Sequence, residues 1–195
     1  MLTHWDYHGP MNDPALRLLT EEEYLSTEEL SPVRREYVDG FVYAQAGASL
    51  AHLRISSNIQ RVFLNAARGG PCWSYTSDLK IRLQGADRLR YYYPDIVVVC
   101  ESDGKKEGIE TRPCLVVEIL SPSTRQVDVS FKAKDYLSLP SLQGYLLIDS
   151  EGQGAELYRR LPDGGWTQET MQDSLQLPCL NVKLMADEIY EGVQA

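Results

Sequence analysis

Two short segments leave this chain little choice about its centre. Asp95 to Cys100 and Cys114 to Leu120 are continuous runs of β-branched and aliphatic residues, without the polar alternation of a strand wetted on one face. Such runs are strands covered on both faces, in the middle of a sheet. Each nevertheless carries an acid: Asp95 follows Pro94 at the start of the first, and Glu118 lies among Val116, Val117, Ile119 and Leu120 in the second.

The flanking pattern supplies the layers that cover such a sheet. Thr20-Glu21-Glu22-Glu23 is a capping box, which predicts a helix from about Glu21 to Glu29. Arg35 to Tyr43 holds an Asp39-Gly40 pair between two β-prone arms, a hairpin signal, with Glu36 on the first arm. Ile55, Ile59, Val62, Phe63 and Ala66 mark one face of a helix that stops at Gly69-Gly70-Pro71. Leu79, Ile81 and Leu83 alternate with polar residues, as in a strand buried on one face. After the second central strand, Ser121-Pro122-Ser123-Thr124 reads as a turn and helix start. Val129, Ala133, Tyr136 and Leu137 then form a helical stripe that ends at Pro140.

Gly144 to Asp149 predicts a further strand, Ala155 to Arg160 and Trp166 to Met171 a hairpin around Pro162-Asp163-Gly164-Gly165, and Ala186 to Tyr190 a closing helix. The core order is therefore α-β-β-β-α-β. It predicts an α/β or α+β fold with a mixed central sheet flanked by helices, preceded by the N-terminal helix and hairpin. With 195 residues and 43% apolar composition there is material for one core, so residues 1–195 are expected to form one domain, with 1–18 a loosely ordered leading segment.

Several classes of function are disfavoured. The apolar runs are far shorter than the roughly 20 residues that span a bilayer, and Met1 to Pro14 has no basic region followed by an apolar run. Cytoplasm is the expected compartment. Cys72, Cys100, Cys114 and Cys179 are widely spaced without a CxxC pair, which predicts buried thiols in place of a zinc site or a disulfide framework. The net charge of −9 opposes a surface that attracts nucleic acid everywhere, although binding is local and a bound cation neutralises acids.

The two strand acids need a physical account, because burying an unpaired carboxylate is expensive. Read alone, Asp95 is equally a turn residue after proline, whereas a glutamate central in an apolar strand points to function over a buried ion pair. Two converging carboxylates make a metal site: Mg²⁺ takes oxygen ligands, often one or two carboxylates, and leaves room for water and a substrate phosphate. Lys132 lies beside Val129 and Tyr136 at the margin of the helical stripe, from where its side chain can lean toward Glu118. Without that site it would read as a solvated lysine near Asp128.

Taken together, Tyr93-Pro94-Asp95-Ile96-Val97-Val98, then Val116-Val117-Glu118-Ile119-Leu120-Ser121-Pro122-Ser123-Thr124, then Asp128, Lys132 and Tyr136 resemble the bacterial restriction-endonuclease family within the PD-(D/E)XK nuclease superfamily. Glu36-Tyr37-Val38-Asp39-Gly40, Gly47-Ala48-Ser49 with His52, and Ser77-Asp78-Leu79 extend the resemblance, which covers roughly residues 19–149. It implies a restriction endonuclease-like core and a Mg²⁺-dependent phosphodiesterase site in which Mn²⁺ can substitute. Asp95 and Glu118 match the metal-binding acids. Leu120 stands where the wider superfamily has its strand lysine, and Lys132 matches the family's helix lysine as a migrated replacement. Glu36 matches an N-terminal acid that adds a ligand or holds a water.

The expected activity is hydrolysis of DNA phosphodiesters by Asp95, Glu118, Lys132 and Glu36, in a homodimer. The alternative is a non-catalytic homodimeric nucleic-acid-binding or regulatory protein on the same fold. Paired-carboxylate glycoside hydrolysis lacks a matching pattern of sugar-binding aromatics. His52 is left outside catalysis, as a surface or core histidine. Lys80, Arg82, Arg88 and Arg90, followed by Tyr91, Tyr92 and Tyr93, read either as phosphate and base contacts or as the polar face of a hairpin.

Overall fold

The structure, a computed structural model, describes residues 17–45, 47–86, 88–102, 108–121, 128–152 and 154–193. The leading segment 1–18 expected to be loosely ordered lies almost wholly outside these residues, as does the turn Pro122-Ser123-Thr124.

Helix α1 (Glu21–Glu28) begins where the capping box places it. Thr20 Oγ1 accepts from the Glu23 amide at 3.2 Å, and Glu23 Oε2 accepts from the Thr20 amide at 2.9 Å. Strands β1 (Arg35–Val38) and β2 (Phe41–Ala44) form the hairpin, its turn made by Asp39 at φ 51° and Gly40 at φ 101°. Positive φ at both central turn residues matches the right-handed twist of the strands, which is why Asp-Gly specifies this register. Helix α2 (Leu50–Ala67) is capped by Ser49 and buries Ile55, Ile59 and Phe63.

Next come β3 (Trp73–Thr76), β4 (Lys80–Gln84), β5 (Leu89–Tyr92), β6 (Ile96–Val99), β7 (Ile109–Glu110) and β8 (Leu115–Leu120). A π-helical turn, Asp128–Lys132, runs directly into α3 (Ala133–Leu137). Strands β9 (Gly144–Asp149), β10 (Ala155–Arg160), β11 (Trp166–Thr170), β12 (Ser174–Gln176) and β13 (Lys183–Met185) precede helix α4 (Ala186–Ile189). Among the described residues no helix is long and apolar enough to cross a membrane.

The fold is the mixed α+β arrangement that the pattern predicts. Among the described residues one sheet runs β11-β10-β9-β8-β6-β3, with β8 and β9 parallel and its other pairs antiparallel. A second sheet runs β2-β1-β5-β4-β7, and β12 and β13 pair separately. The strand read from Leu79, Ile81 and Leu83 joins the second sheet, and β3 takes the place beside β6. The apolar runs β6 and β8 are interior strands of the larger sheet. One face packs Ile96, Val98, Leu115, Val117 and Ile119 against α2; the other packs Val97, Val99, Val116 and Leu120 against Ala133 and Tyr136 of α3 and Ile81, Leu83 and Tyr92 of the second sheet. Fully burying each such side chain contributes about 1.5–3 kcal/mol, so uninterrupted apolar runs are what two covered faces demand.

The expectation of buried free thiols is corrected, and of the two readings of the stretch around β5 the hairpin face holds. The cysteines are not free thiols: Cys72 is bonded to Cys100 and Cys114 to Cys179. Segments 28 and 65 residues apart in sequence are brought side by side by strand pairing, which spacing alone does not report. The stretch around β5 offers no rings for base stacking, because Tyr91, Tyr92 and Tyr93 are buried. Arg82 pairs with Glu21, and Arg90 with Asp39 and Asp135, so these cations tie the second sheet to α1 and α3.

Candidate active site

The chain crosses from one sheet to the other within three residues. Strand β5 ends at Tyr92 in the second sheet, β6 begins at Ile96 in the larger one, and Tyr93-Pro94-Asp95 spans the step. Proline lacks an amide donor and has a fixed φ, which suits a point where one ladder stops and another starts. Asp95 is thereby delivered to the rim of the larger sheet. The register Ile96↔Val117, continued by one residue, sets Asp95 opposite Glu118. Glu118 turns toward Lys132 and Tyr136, while Asp95, just before the strand, sits at the rim beside it.

Hydrogen bonds fix this arrangement. The Ile119 amide donates to Asp95 Oδ2 at 2.7 Å, tying the carboxylate to β8 beside Glu118. His52 Nε2 lies 2.9 Å from Asp95 Oδ1. The histidine arrives there because Ser49 caps α2, its hydroxyl accepting from the His52 amide at 3.2 Å, so that His52 stands in the first turn. The sequence alone leaves His52 outside the site. Its helical spacing describes only α2, and the contact depends on where the first turn of that helix meets the start of β6.

Glu118 is 3% exposed and Lys132 6%. The Lys132 ammonium lies 2.8 Å from Glu36 Oε1 and 3.5 Å from Glu118 Oε1. It also sits over the Tyr92 ring, 5.4 Å from the centroid, where the negative face of the ring favours a cation. The lysine therefore leans inward, as its place on the helical stripe predicts. The local backbone differs from a regular α-helix: Lys132 ends the π-helical turn, whose wider winding alters the angle at which successive side chains leave the axis.

Glu36 comes from β1, in the other sheet. Its Oε1 also accepts from the Tyr93 amide at 3.3 Å, while Gln45 donates to the Tyr93 carbonyl at 2.9 Å. The crossing and the hairpin thus hold each other. Tyr136 Oη lies 3.4 Å from Glu118 Oε1. Burial, followed by the charges of Glu118 and then Glu36, pushes the Tyr136 phenol well above its ordinary range, so it remains a proton donor facing the acids. Asp78, by contrast, pairs with Arg34 at an exposed position and lies outside this group.

The site thus gathers Asp95, Glu118, Glu36 and Lys132 from the step before β6, from β8, from β1 and from the π-helical turn, with His52 behind Asp95. Its chemistry fits a hard divalent cation. Asp95 and Glu118 offer carboxylate oxygens beside one another at the sheet rim, and a carboxylate oxygen that takes part in one hydrogen bond keeps a second lone pair. The ammonium adds a fixed positive charge beside them.

The fold defines a restriction endonuclease-like protein. It is shared with a crystal structure described as "a putative nuclease belonging to DUF820" from Anabaena variabilis, with a TM-score of 0.70 at 21% identity over 88% of this chain and 97% of that one. The chain belongs to the family described as "Uma2: Putative restriction endonuclease", whose model matches residues 21–186. Among its relatives, the "Uncharacterized protein slr1290" of Synechocystis sp. is 39% identical over 178 residues, covering 90% of this chain and 93% of that protein. The "Uncharacterized protein sll1609" of the same organism is 32% identical over 154 residues, 77% of this chain and 85% of that one.

Proposed function

We propose that this chain is a metal-dependent endonuclease that hydrolyses DNA phosphodiester bonds at a PD-(D/E)XK-type site. The observation that carries the reading is the Lys132 ammonium 3.5 Å from Glu118, on a strand whose next amide, that of Ile119, holds Asp95. A lysine from the helix thereby stands in for the strand lysine that Leu120 replaces. Asp95 and Glu118 would hold Mg²⁺, or Mn²⁺ in its place, and a bound ion supplies Lewis-acid charge at the phosphoryl oxygen and lowers the pKa of a water.

The protein's own groups have distinct tasks. Asp95 and Glu118 would hold the ion at the sheet rim, where it would meet the scissile phosphate. Lys132 offsets negative charge that builds on the phosphoryl oxygens, at no reorganisation cost, because burial and Glu36 already hold the ammonium in place. Glu36 anchors that ammonium and accepts a proton from an attacking water within its reach. His52 keeps the Asp95 carboxylate in one orientation, as a positioning residue. The active species is a homodimer, since cutting both strands needs two sites.

The test is cleavage of plasmid and oligonucleotide substrates with Mg²⁺ or Mn²⁺ by the wild type and by Asp95→Ala, Glu118→Ala and Lys132→Ala. Loss of cleavage in all three variants is expected. Activity indifferent to all three would overturn the reading. Light scattering that shows only monomer would remove the dimer.

The net charge of −9 and the engagement of Lys132 by two carboxylates favour a second reading, a non-catalytic nucleic-acid-binding or regulatory protein on this fold. Calorimetry separates the two. A nuclease site binds Mg²⁺ or Mn²⁺ and loses that binding in Glu118→Ala, whereas the non-catalytic protein binds neither.

A further inference from the structure

The four cysteines of the chain meet at the end of the larger sheet away from Asp95. Cys72 precedes β3 and Cys100 follows β6; the register Trp73↔Val99, continued by one residue, makes them cross-strand neighbours. Cys114 precedes β8, where its amide donates to the Val98 carbonyl at 2.7 Å. Cys179 lies between β12 and β13 and has a left-handed backbone, φ 69°. Cys100 is five residues from Asp95 along β6, about 16 Å at the usual strand rise, so this cluster is separate from the acidic site.

The two disulfides do not lie apart as independent staples would. The Sγ atoms of Cys100, Cys114 and Cys179 all lie within 4.8 Å of one another, and Cys72, bonded to Cys100, has its Sγ 3.7 Å from the Cys179 carbonyl oxygen. Stapling β3 to β6, and β8 to the C-terminal hairpin, requires only that each pair meet. It does not require the pairs to meet each other. A left-handed non-glycine residue persists only where its surroundings over-determine it, and here that turn brings the Cys179 sulfur to those of Cys100 and Cys114, with Cys72 adjoining through Cys100.

Four cysteine sulfurs are a soft donor set, and tetrahedral Cys₄ coordination is a structural zinc arrangement. With zinc–sulfur bonds of about 2.3 Å, tetrahedral geometry separates the sulfurs by about 3.8 Å, within the span of Cys100, Cys114 and Cys179, and reduction frees Cys72 from Cys100 to take the fourth position. We propose that in the reduced chain Cys72, Cys100, Cys114 and Cys179 hold one Zn²⁺ ion, a structural site that ties β3, β6 and β8 to the C-terminal hairpin. Reaching it from the disulfide form requires a dithiol reductant. Each disulfide takes two electrons and two protons from one dithiol, which is itself oxidised to a disulfide. Zinc binding then releases the thiol protons to solvent.

The test uses the full chain, purified with thiol reductant and without chelators. Elemental analysis is expected to find one zinc per chain, released as four thiols are titrated with a mercurial reagent. Cobalt added to the zinc-free reduced chain is expected to give the visible bands of tetrahedral thiolate coordination. These measurements need no variant. Cys114→Ser and Cys179→Ser, where they fold, are expected to lose at least tenfold in zinc affinity. A reduced chain with four titratable thiols that takes up neither zinc nor cobalt would overturn the proposal. So would disulfides that persist through the dithiol.

Discussion

His52 Nε2 lies 2.9 Å from Asp95 Oδ1, and the other oxygen of the same carboxylate accepts from the Ile119 amide at 2.7 Å. An acid gripped from both sides presents its remaining lone pairs in one direction, which is how residues behind a metal ligand set its affinity. His52→Ala is therefore expected to weaken Mg²⁺ binding by about 10- to 100-fold while leaving the fold intact. Calorimetric titration beside a thermal melt would measure both. Unchanged affinity would deny His52 a positioning role.

Lys132 faces two acids in a place that water scarcely reaches, with side-chain exposures of 8% for Lys132, 13% for Glu36 and 4% for Glu118. Removing one member of a buried ion pair leaves uncompensated charge and typically costs 3–5 kcal/mol. Lys132→Met is expected to lose about 3 kcal/mol in urea unfolding, and Mg²⁺ is expected to return part of it by replacing the missing cation. A variant as stable as the wild type would mean that the acids are neutral or otherwise compensated.

Alkaline pH should weaken the fold. Burial pushes the phenols of Tyr24, Tyr91, Tyr92, Tyr93 and Tyr136 up from their ordinary value of 10.0, and neighbouring carboxylates add to the shift. Above that value the unfolded chain loses protons that the folded chain keeps. Their stabilisation is thus complete below about pH 10 and declines as the pH rises toward the folded values. Urea midpoints between about pH 8 and 11 should fall, together with the rise in tyrosinate absorbance. Midpoints that stay level while tyrosinate appears would show that the rings ionise in the folded state.

Gly40 combines φ 101° with a close neighbour: a Cβ there would meet Leu18 Cβ at 2.9 Å. Gly40→Ala is expected to cost about 1–2 kcal/mol through the strained turn and the contact. Because β1 carries Glu36, the change should also loosen the Lys132–Glu36 pair. A chemical-denaturation series would measure the first effect. A Gly40→Ala chain as stable as the wild type would show that the hairpin does not depend on this turn.

Much of the site was legible because its signals are local. Glu118 stands out against its apolar neighbours, Asp95 follows Pro94 at a strand start, and the helical stripe turns Lys132 inward. The contact of His52 with Asp95 joins positions 43 residues apart in sequence, and the Cys114–Cys179 bond joins positions 65 apart. No periodicity carries such information. The basic and tyrosine-rich stretch around β5 left two readings open for a related reason: composition reports charge and ring, but not that packing buries the rings or that Glu21, Asp39 and Asp135 supply the counter-ions.

Sequence by itself determined the capped first helix, the Asp39-Gly40 hairpin, the two covered central strands and the presence of an acid in each. Those features follow from backbone torsion and side-chain burial over a few neighbouring residues. Tertiary structure alone decided that β4 joins a second sheet, that Glu36 from that sheet meets Lys132, that His52 backs Asp95, and that four scattered cysteines share one corner. Pairings between remote segments are settled by the packing of whole faces, which no short window of sequence contains.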